Sequence, residues 1–191
     1  MVAADELKRL YADVEWAKDA GLSRRELGAA LKRLYQAAPK GSDYRYYAIC
    51  HLSSFLVRDS PFKALSLCIE GLKEHVSAEL ECTAGIAHLL LKHDNSAEAA
   101  FRRALQIEPN NISCLHNLGH LLDLARDKQE QAIVYLQKAH ELAPDEPELQ
   151  SSLAHALLKL GRRDEARALL NLALDQDAEY VEHYLRIWSE P

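Results

Sequence analysis

The sequence predicts an all-α chain built of antiparallel helix pairs, and three observations carry that expectation. Apolar residues recur at spacings of three and four along nearly the whole chain and nowhere alternate at two, which is the period of helices and not of half-buried strands. Only seven Gly and six Pro occur among 191 residues, too few to turn the many short strands of an all-β fold. The pattern also repeats, because one set of positions returns after 35 and then 34 residues.

Eleven helices are expected. The first, near 5–20, stops at Gly21. The second, near 23–38, opens on Ser23-Arg24-Arg25-Glu26, where the Ser hydroxyl can take one free amide while Glu26 reaches back to another, and it stops at Pro39-Lys40-Gly41. Helices near 44–57 and 61–74 follow, the latter opened by Ser60-Pro61, a capping hydroxyl before a proline whose missing N–H costs nothing at the first helical position. The next, near 78–92 and 96–107, end before Pro109, and those near 111–125 and 128–142 end before Pro144. Asp145-Glu146-Pro147-Glu148 opens the helix near 147–160 with carboxylates suited to the positive end of its dipole. Helices near 163–175 and 179–188 complete the set. Linkers of two to five residues force sequence neighbours to pack antiparallel.

The repeat has a specific content. Ala97, Phe101, Ala104 and Pro109 are spaced four, three and five apart, and the same steps run through Ala132, Leu136, Ala139 and Pro144, then Ala166, Leu170, Ala173 and Ala178. A weaker copy runs through Ala64, Cys68, Gly71 and Val76, and a degenerate one through Leu27, Leu31, Leu34 and Pro39. Upstream of the three strong copies stand Ala84-Gly85, Leu118-Gly119 and Leu153-Ala154. Small residues at these places let paired helices approach closely, and Phe101 or Leu136 then fills the space between repeats.

In these features the chain resembles the tetratricopeptide repeat family, well over residues 44–178 and loosely over 8–40. The resemblance implies a right-handed superhelical solenoid of antiparallel helix pairs in a single domain, residues 1–191. Its parts would be a degenerate pair (1–43), a weak repeat (44–77), clear repeats (78–111, 112–146 and 147–178) and a capping helix (179–191). The family's early tryptophan is missing, with Glu81, Leu115 and Gln150 in its place and Tyr47 in the weak copy. One extra residue falls in the turn at 125–129 and another near Arg58–Ser60. Trp188, Tyr184 and Leu185 are expected in the core of the terminal cap, as solenoid ends require, and Trp16 and Tyr11 at the opposite end. The Tyr44-Arg45-Tyr46-Tyr47 cluster is expected to pack between the first two repeats.

The same resemblance implies that the first helix of each repeat lines a concave surface for partner segments. The inward positions carried over are Ala48, Leu52 and Phe55; Cys82, Ile86 and Leu89; His116, His120 and Asp123; and Ser151, His155 and Leu158. The expected partner is therefore another protein, presenting a peptide or helix with apolar anchors. The rival expectation is that an N-terminal helix or the chain's own termini fill the strip. The family's grip on the acidic C-terminus of heat-shock chaperones is not expected. Asn117 matches that clamp, but Cys82, Ile86, Glu148 and Ser152 stand where its other groups belong, so Asn117 is read as a hydrogen bonder between helices.

Charge and chemistry narrow the function further. The net charge of -6 disfavours nucleic-acid binding. Residues 1–75 carry 12 basic and 10 acidic residues against 11 and 19 in the remainder, an excess read as solvated helix faces. Cys50, Cys68, Cys82 and Cys114 sit singly in apolar runs, which predicts buried thiols and a cytoplasmic setting. No secretory signal or 18-residue apolar run is present, so no membrane association is expected. His116 and His120, four apart, with His155 one repeat on and Asp123 beside them, are weighed as metal ligands and set aside: no metal, no cofactor and no catalytic residues are expected. Protonating these histidines near an ordinary pKa of about 6.5 would add positive charge to the groove and weaken an apolar or basic ligand. The expected function is a non-catalytic protein-binding adaptor. The alternatives are a dedicated chaperone for a secreted or membrane-bound client, a self-associating scaffold, or the recognition domain of a larger enzyme.

Overall fold

A computed structural model describes residues 4–124 and 128–176, and every regular element among them is an α-helix. In order these are α1 (Ala4–Asp19), α2 (Arg24–Ala37), α3 (Asp43–Leu56), α4 (Pro61–Leu72), α5 (Ala78–Leu90), α6 (Asp94–Ile107), α7 (Ile112–Leu124), α8 (Gln129–Leu142), α9 (Pro147–Lys159) and α10 (Arg163–Gln176). They agree within two residues at each end with the first ten expected helices. The terminal cap with Tyr184, Leu185 and Trp188, the repeat residue Ala178 and the turn at 125–127 lie outside the described residues. None of the described helices is long and apolar enough to cross a membrane.

Serine side chains cap three helix starts, and an expected side-chain cap is missing at two others. Ser23 and Glu26 form the reciprocal box, with Ser23 N–H donating to Glu26 Oε2 at 3.1 Å and the Glu26 amide donating to Ser23 Oγ at 3.4 Å. Ser42 and Ser77 cap α3 and α5 by accepting from the amides of Arg45 and Leu80, each at 3.2 Å. Ser60 makes no capping bond; its backbone sits at φ -149, ψ 66, and Pro61 alone marks the start of α4. Glu146 likewise makes no capping bond, and Pro147 opens α9. Gly21 and Gly41 end α1 and the loop after α2 at φ +60 and +74, a region that suits glycine.

The helices group into two compact units, Met1–Ala100 and Phe101–Pro191. In the first, consecutive helices from α1 to α5 pack on one another, and α3 also meets α5. Its core joins Leu10 and Val14 of α1, Leu31 and Leu34 of α2, Ile49 and Leu52 of α3, Leu67 of α4 and Leu80 of α5. Close approach needs glycine twice. A Cβ on Gly28 would lie 2.7 Å from the Phe55 ring, and one on Gly71 2.6 Å from Leu80 Cδ1. Tyr11 meets Tyr44 and Tyr47 with centroids 5.7 and 4.8 Å apart, which seats these two between α1 and α3, whereas Tyr46 faces His75 and Ser77 and Arg45 faces Tyr35 and Glu70. Trp16 departs from expectation. The buried stripe of α1 is Leu7, Leu10, Val14 and Ala17, and Trp16 falls off that phase with 64% of its surface exposed.

In the second unit α7 packs on α8, α8 on α9, α9 on α10, and α7 also on α9. The repeat residues Ala132, Ala139, Ala166 and Ala173 are fully buried, and Leu136 nearly so. A Cβ on Gly119 would lie 2.6 Å from Leu136 Cγ and 3.2 Å from the Ala132 carbonyl oxygen, so glycine sets the approach of α7 to α8. Gln150, at the place of the family tryptophan, is buried and donates from Nε2 to the Pro144 carbonyl at 2.6 Å.

Candidate functional site

First helices occupy alternate places in the chain order, so α3 and α5 are neighbours in the first unit and α7 and α9 in the second. The sequence positions carried over for binding separate sharply by exposure. Leu52 is buried in the first unit's core, and Phe55 packs against it beneath α2, where the Arg24 guanidinium stacks 4.7 Å from the ring centroid and donates to the Phe55 carbonyl at 2.8 Å. Helix α2 thus covers the Phe55 side chain. Cys82 is buried, and Ile86 is half-buried against Val57, Ala64 and Ala87. Leu89 is half-buried as well.

The second unit presents a polar cluster. On α7, His116, His120 and Asp123 follow one face, because residues three and four apart are helix neighbours. On α9 the facing residues are Glu148, Ser152, His155 and Lys159. His116 Nε2 lies 2.9 Å from Ser152 Oγ, and its Nδ1 is 3.9 Å from Glu148 Oε1. His155 Nδ1 lies 2.5 Å from Asp123 Oδ2. A carboxylate only accepts, so His155 Nδ1 is the donor of this bond. Lys159 Nζ stands 3.4 Å from Asp123 Oδ1 and donates to the Asp123 carbonyl at 3.0 Å. His120 lies beside His116 with centroids 6.1 Å apart. Leu158 is 39% exposed at the end of α9, and Ser151 is buried. Asn117 bonds within its own helix, donating to the Ser113 carbonyl at 2.7 Å, and not between helices.

Sequence reasoning passed over two members of this cluster. Lys159 follows His155 by four residues, a spacing that places both on one face of α9. Ser152 was weighed only as a mismatch to the chaperone clamp.

Burial decides the ionisation of the cluster. It pushes the His116 and His120 imidazoles below their ordinary 6.5, and for His120 the neighbouring His116 and His155 add to that while Asp123 and Glu148 oppose it. Burial also works against the Asp123 charge, but the His155 hydrogen bond with the charges of His155 and Lys159 outweighs it, and the carboxyl is held below its ordinary 3.8. The expected charging of this face near 6.5 is therefore corrected for His116 and His120: both take up protons only at lower pH. The unfolded chain binds those protons at the ordinary value, so stability falls as pH drops below 6.5. Replacing His120 with Leu removes its share, and melting followed by circular dichroism from about pH 7.5 to about pH 5 should show a shallower loss than in the wild type. Parallel curves for the two proteins would refute this.

Ser152, His116 and Glu148 have the outline of a nucleophile, base and acid, yet the chemistry has no support around it. Ser152 is 4% exposed, and it lies within α9, where backbone amides bond the preceding turn and none is left to hold an oxyanion. The four cysteines are buried, and none is in a disulfide. Burial pushes the Cys50 thiol up to about 12 and Cys68 to about 11, far from a reactive thiolate.

Comparison with known proteins agrees with this architecture. Residues 82–111 and residues 123–187 each match a family model described as tetratricopeptide repeat. The protein STIP1 homolog of Dictyostelium discoideum is 36% identical over 103 residues, which are 53% of this chain; the chain spans 18% of that relative's length. Among solved structures, a crystal structure of MamA superposes with a TM-score of 0.68 at 19% identity, covering 88% of this chain and 96% of that one. MamA from residue 41 to its end, from Desulfovibrio magneticus RS-1, gives 0.72 at 17% identity, covering 93% and 98%. Both matches fall where the small residues of the repeat are buried, and over residues 82–111 and 123–187 the chain carries tetratricopeptide repeats.

Proposed function

We propose that the chain is a non-catalytic adaptor that binds a segment of another protein on the first helices of its repeats. In the second unit the contact face is the α7–α9 surface, with His116, His120, His155 and Leu158 meeting the partner and Asp123 positioning His155. In the first unit Ile86 and Leu89 are the open candidates, while Leu52 and Cys82 are buried and Phe55 is covered by α2. One observation carries the reading: three half-buried imidazoles stand in register on successive first helices, two of them hydrogen-bonded across the α7–α9 interface. Such groups offer fixed donors and acceptors beside the apolar Leu158, which suits a segment with apolar anchors and exposed backbone. The buried cysteines, none of them in a disulfide, support a reducing, cytoplasmic setting.

The test is affinity purification with mass spectrometry, comparing the wild type with a His120→Glu, Leu158→Glu variant, followed by calorimetry with the purified candidate. Circular dichroism checks that the variant is folded. A partner that binds the wild type and is weakened at least tenfold by the variant, about 1.4 kcal/mol or more, supports the α7–α9 face. A partner held equally by both proteins rejects it.

A further inference from the structure

The first unit carries a second surface that the first-helix reading does not use. Helix α4 has two apolar stripes. Ala64, Leu67, Cys68 and Gly71 form the buried one, as the repeat requires. Phe62, Leu65 and Ile69 form another at spacings of three and four, and Phe62 and Ile69 are 70% and 50% exposed. Single exposed apolar residues are ordinary, but Phe62 and Ile69 line one concavity with the half-buried Leu65 between them and are not a scatter. They line an open cavity of about 620 Å³ with Lys40 and Lys73.

The charges around this cavity are one-sided. Glu70 is the carboxylate in its lining, and it is already committed: Arg45 donates to Glu70 Oε1 from Nε at 3.0 Å and from its terminal nitrogen at 2.7 Å, while the Tyr35 hydroxyl donates to Oε2 at 2.6 Å. The Arg45 guanidinium also stacks 3.6 Å from the Tyr35 ring centroid. Two hydrogen-bond partners and an adjacent cation outweigh burial and hold the Glu70 carboxyl below its ordinary 4.5, so it stays charged and paired. Glu74 reaches toward Gly41 outside the lining. Lys40 and Lys73 make no ion pair among the described residues and leave the cavity wall with an excess of positive charge, although Lys40 also helps to keep Glu70 ionised.

We propose that the outer face of α4 is a docking surface for an acidic segment of another protein that presents apolar side chains at helical spacing. Phe62 and Ile69 receive the anchors, Leu65 floors the cavity between them, and Lys40 and Lys73 meet carboxylates flanking the anchors. The paired Arg45–Glu70 group keeps the floor rigid and stops Glu70 from repelling the ligand. At physiological salt the Debye length is about 8 Å, so the two lysines select at contact range and not from a distance.

The probe is a fluorescent helical peptide of about four turns with leucines at spacings of three and four and glutamates between them, set against a twin with lysines in place of the glutamates. Anisotropy with the full chain should show the acidic peptide binding at least about tenfold more tightly than the basic one, with the difference shrinking as salt rises. Lys40→Glu, Lys73→Glu should reverse the preference, and Phe62→Ser should abolish binding of both. Phe62 is exposed, so that variant should keep the wild-type melting temperature. His120→Glu should change nothing, which separates this surface from the α7–α9 face. No binding, equal binding of the two peptides, or affinities indifferent to the α4 variants overturn the proposal. A mass by light scattering that rises with concentration and falls back in Phe62→Ser overturns it as well, by assigning the face to a second copy of the chain.

Discussion

Gly119→Leu is expected to destabilise the chain by about 3 kcal/mol or more, lowering its melting temperature by about 6–12 °C for a protein of this size. The reason is local to α7 and α8. A first side-chain carbon at position 119 already meets Leu136 Cγ at 2.6 Å, Leu136 Cδ2 at 2.9 Å and the Ala132 carbonyl oxygen at 3.2 Å. Leu136 is itself buried and has no solvent to swing into. The Ala132 oxygen belongs to the helix backbone and yields only if the helices separate. Gly119→Ala is gentler, because about 1 kcal/mol of helix propensity gained over glycine offsets part of the overpacking. A double-mutant cycle makes the cause specific. Leu136→Ala alone should cost about 2–5 kcal/mol, but Gly119→Leu with Leu136→Ala should lose clearly less than the two changes summed, since each fills what the other removes. Additive losses, or a Gly119→Leu variant melting with the wild type, would mean that α7 and α8 do not meet at this glycine.

That glycine shows why so much of the fold was legible. Helix period and short linkers placed ten helices, and the small residues in phase identified where paired helices touch. Gly28, outside the clear repeats, carried the same information: a small residue in α2 marks where Phe55 is covered, which leaves Phe55 half-buried under α2 and not open to the groove. The buried stripe of α1 at 7, 10, 14 and 17 likewise leaves Trp16 outside, although its aromatic bulk suggested a core role. Site residues were less legible because family phasing says which helix face a residue occupies, not what stands across from it. His116, His120 and His155 were found by phase. Asp123 was found in the same way, but its pairing with His155, and the partners Ser152 and Lys159, depend on how α7 lies against α9, a distance that no spacing along one helix supplies. The α4 surface escaped notice because its two stripes, read along the sequence, merge into one apolar run.

Asp123 carries the second large effect. It is buried on α7, its carboxylate accepts from His155, and Lys159 bonds its carbonyl and stands near its other oxygen. Asp123→Ala removes the acceptor and leaves the His155 N–H and the Lys159 ammonium facing a small void. The expected cost is about 3 kcal/mol, the low end for breaking a buried pair, since Lys159 keeps partial access to water. Asp123→Asn keeps the volume and one acceptor oxygen and loses the charge, so about 1–2 kcal/mol is expected. The pH dependence tests the electrostatic part separately. A carboxyl held below its ordinary 3.8 contributes stability that is present above that value and is lost as pH falls through the folded-state value. The gap between wild type and Asp123→Asn in denaturant titrations should therefore persist from neutral pH down to the ordinary carboxyl range and close only below it. The His116 contribution falls in a different window, below 6.5, and should appear equally in both proteins, whereas that of His120 should be larger in Asp123→Asn, which lacks the carboxylate that opposes its shift. A gap that closes between pH 6.5 and the carboxyl range would show that the ionised Asp123 is not what holds His155 and Lys159 in place, and the α7–α9 face would lose the group that orients it.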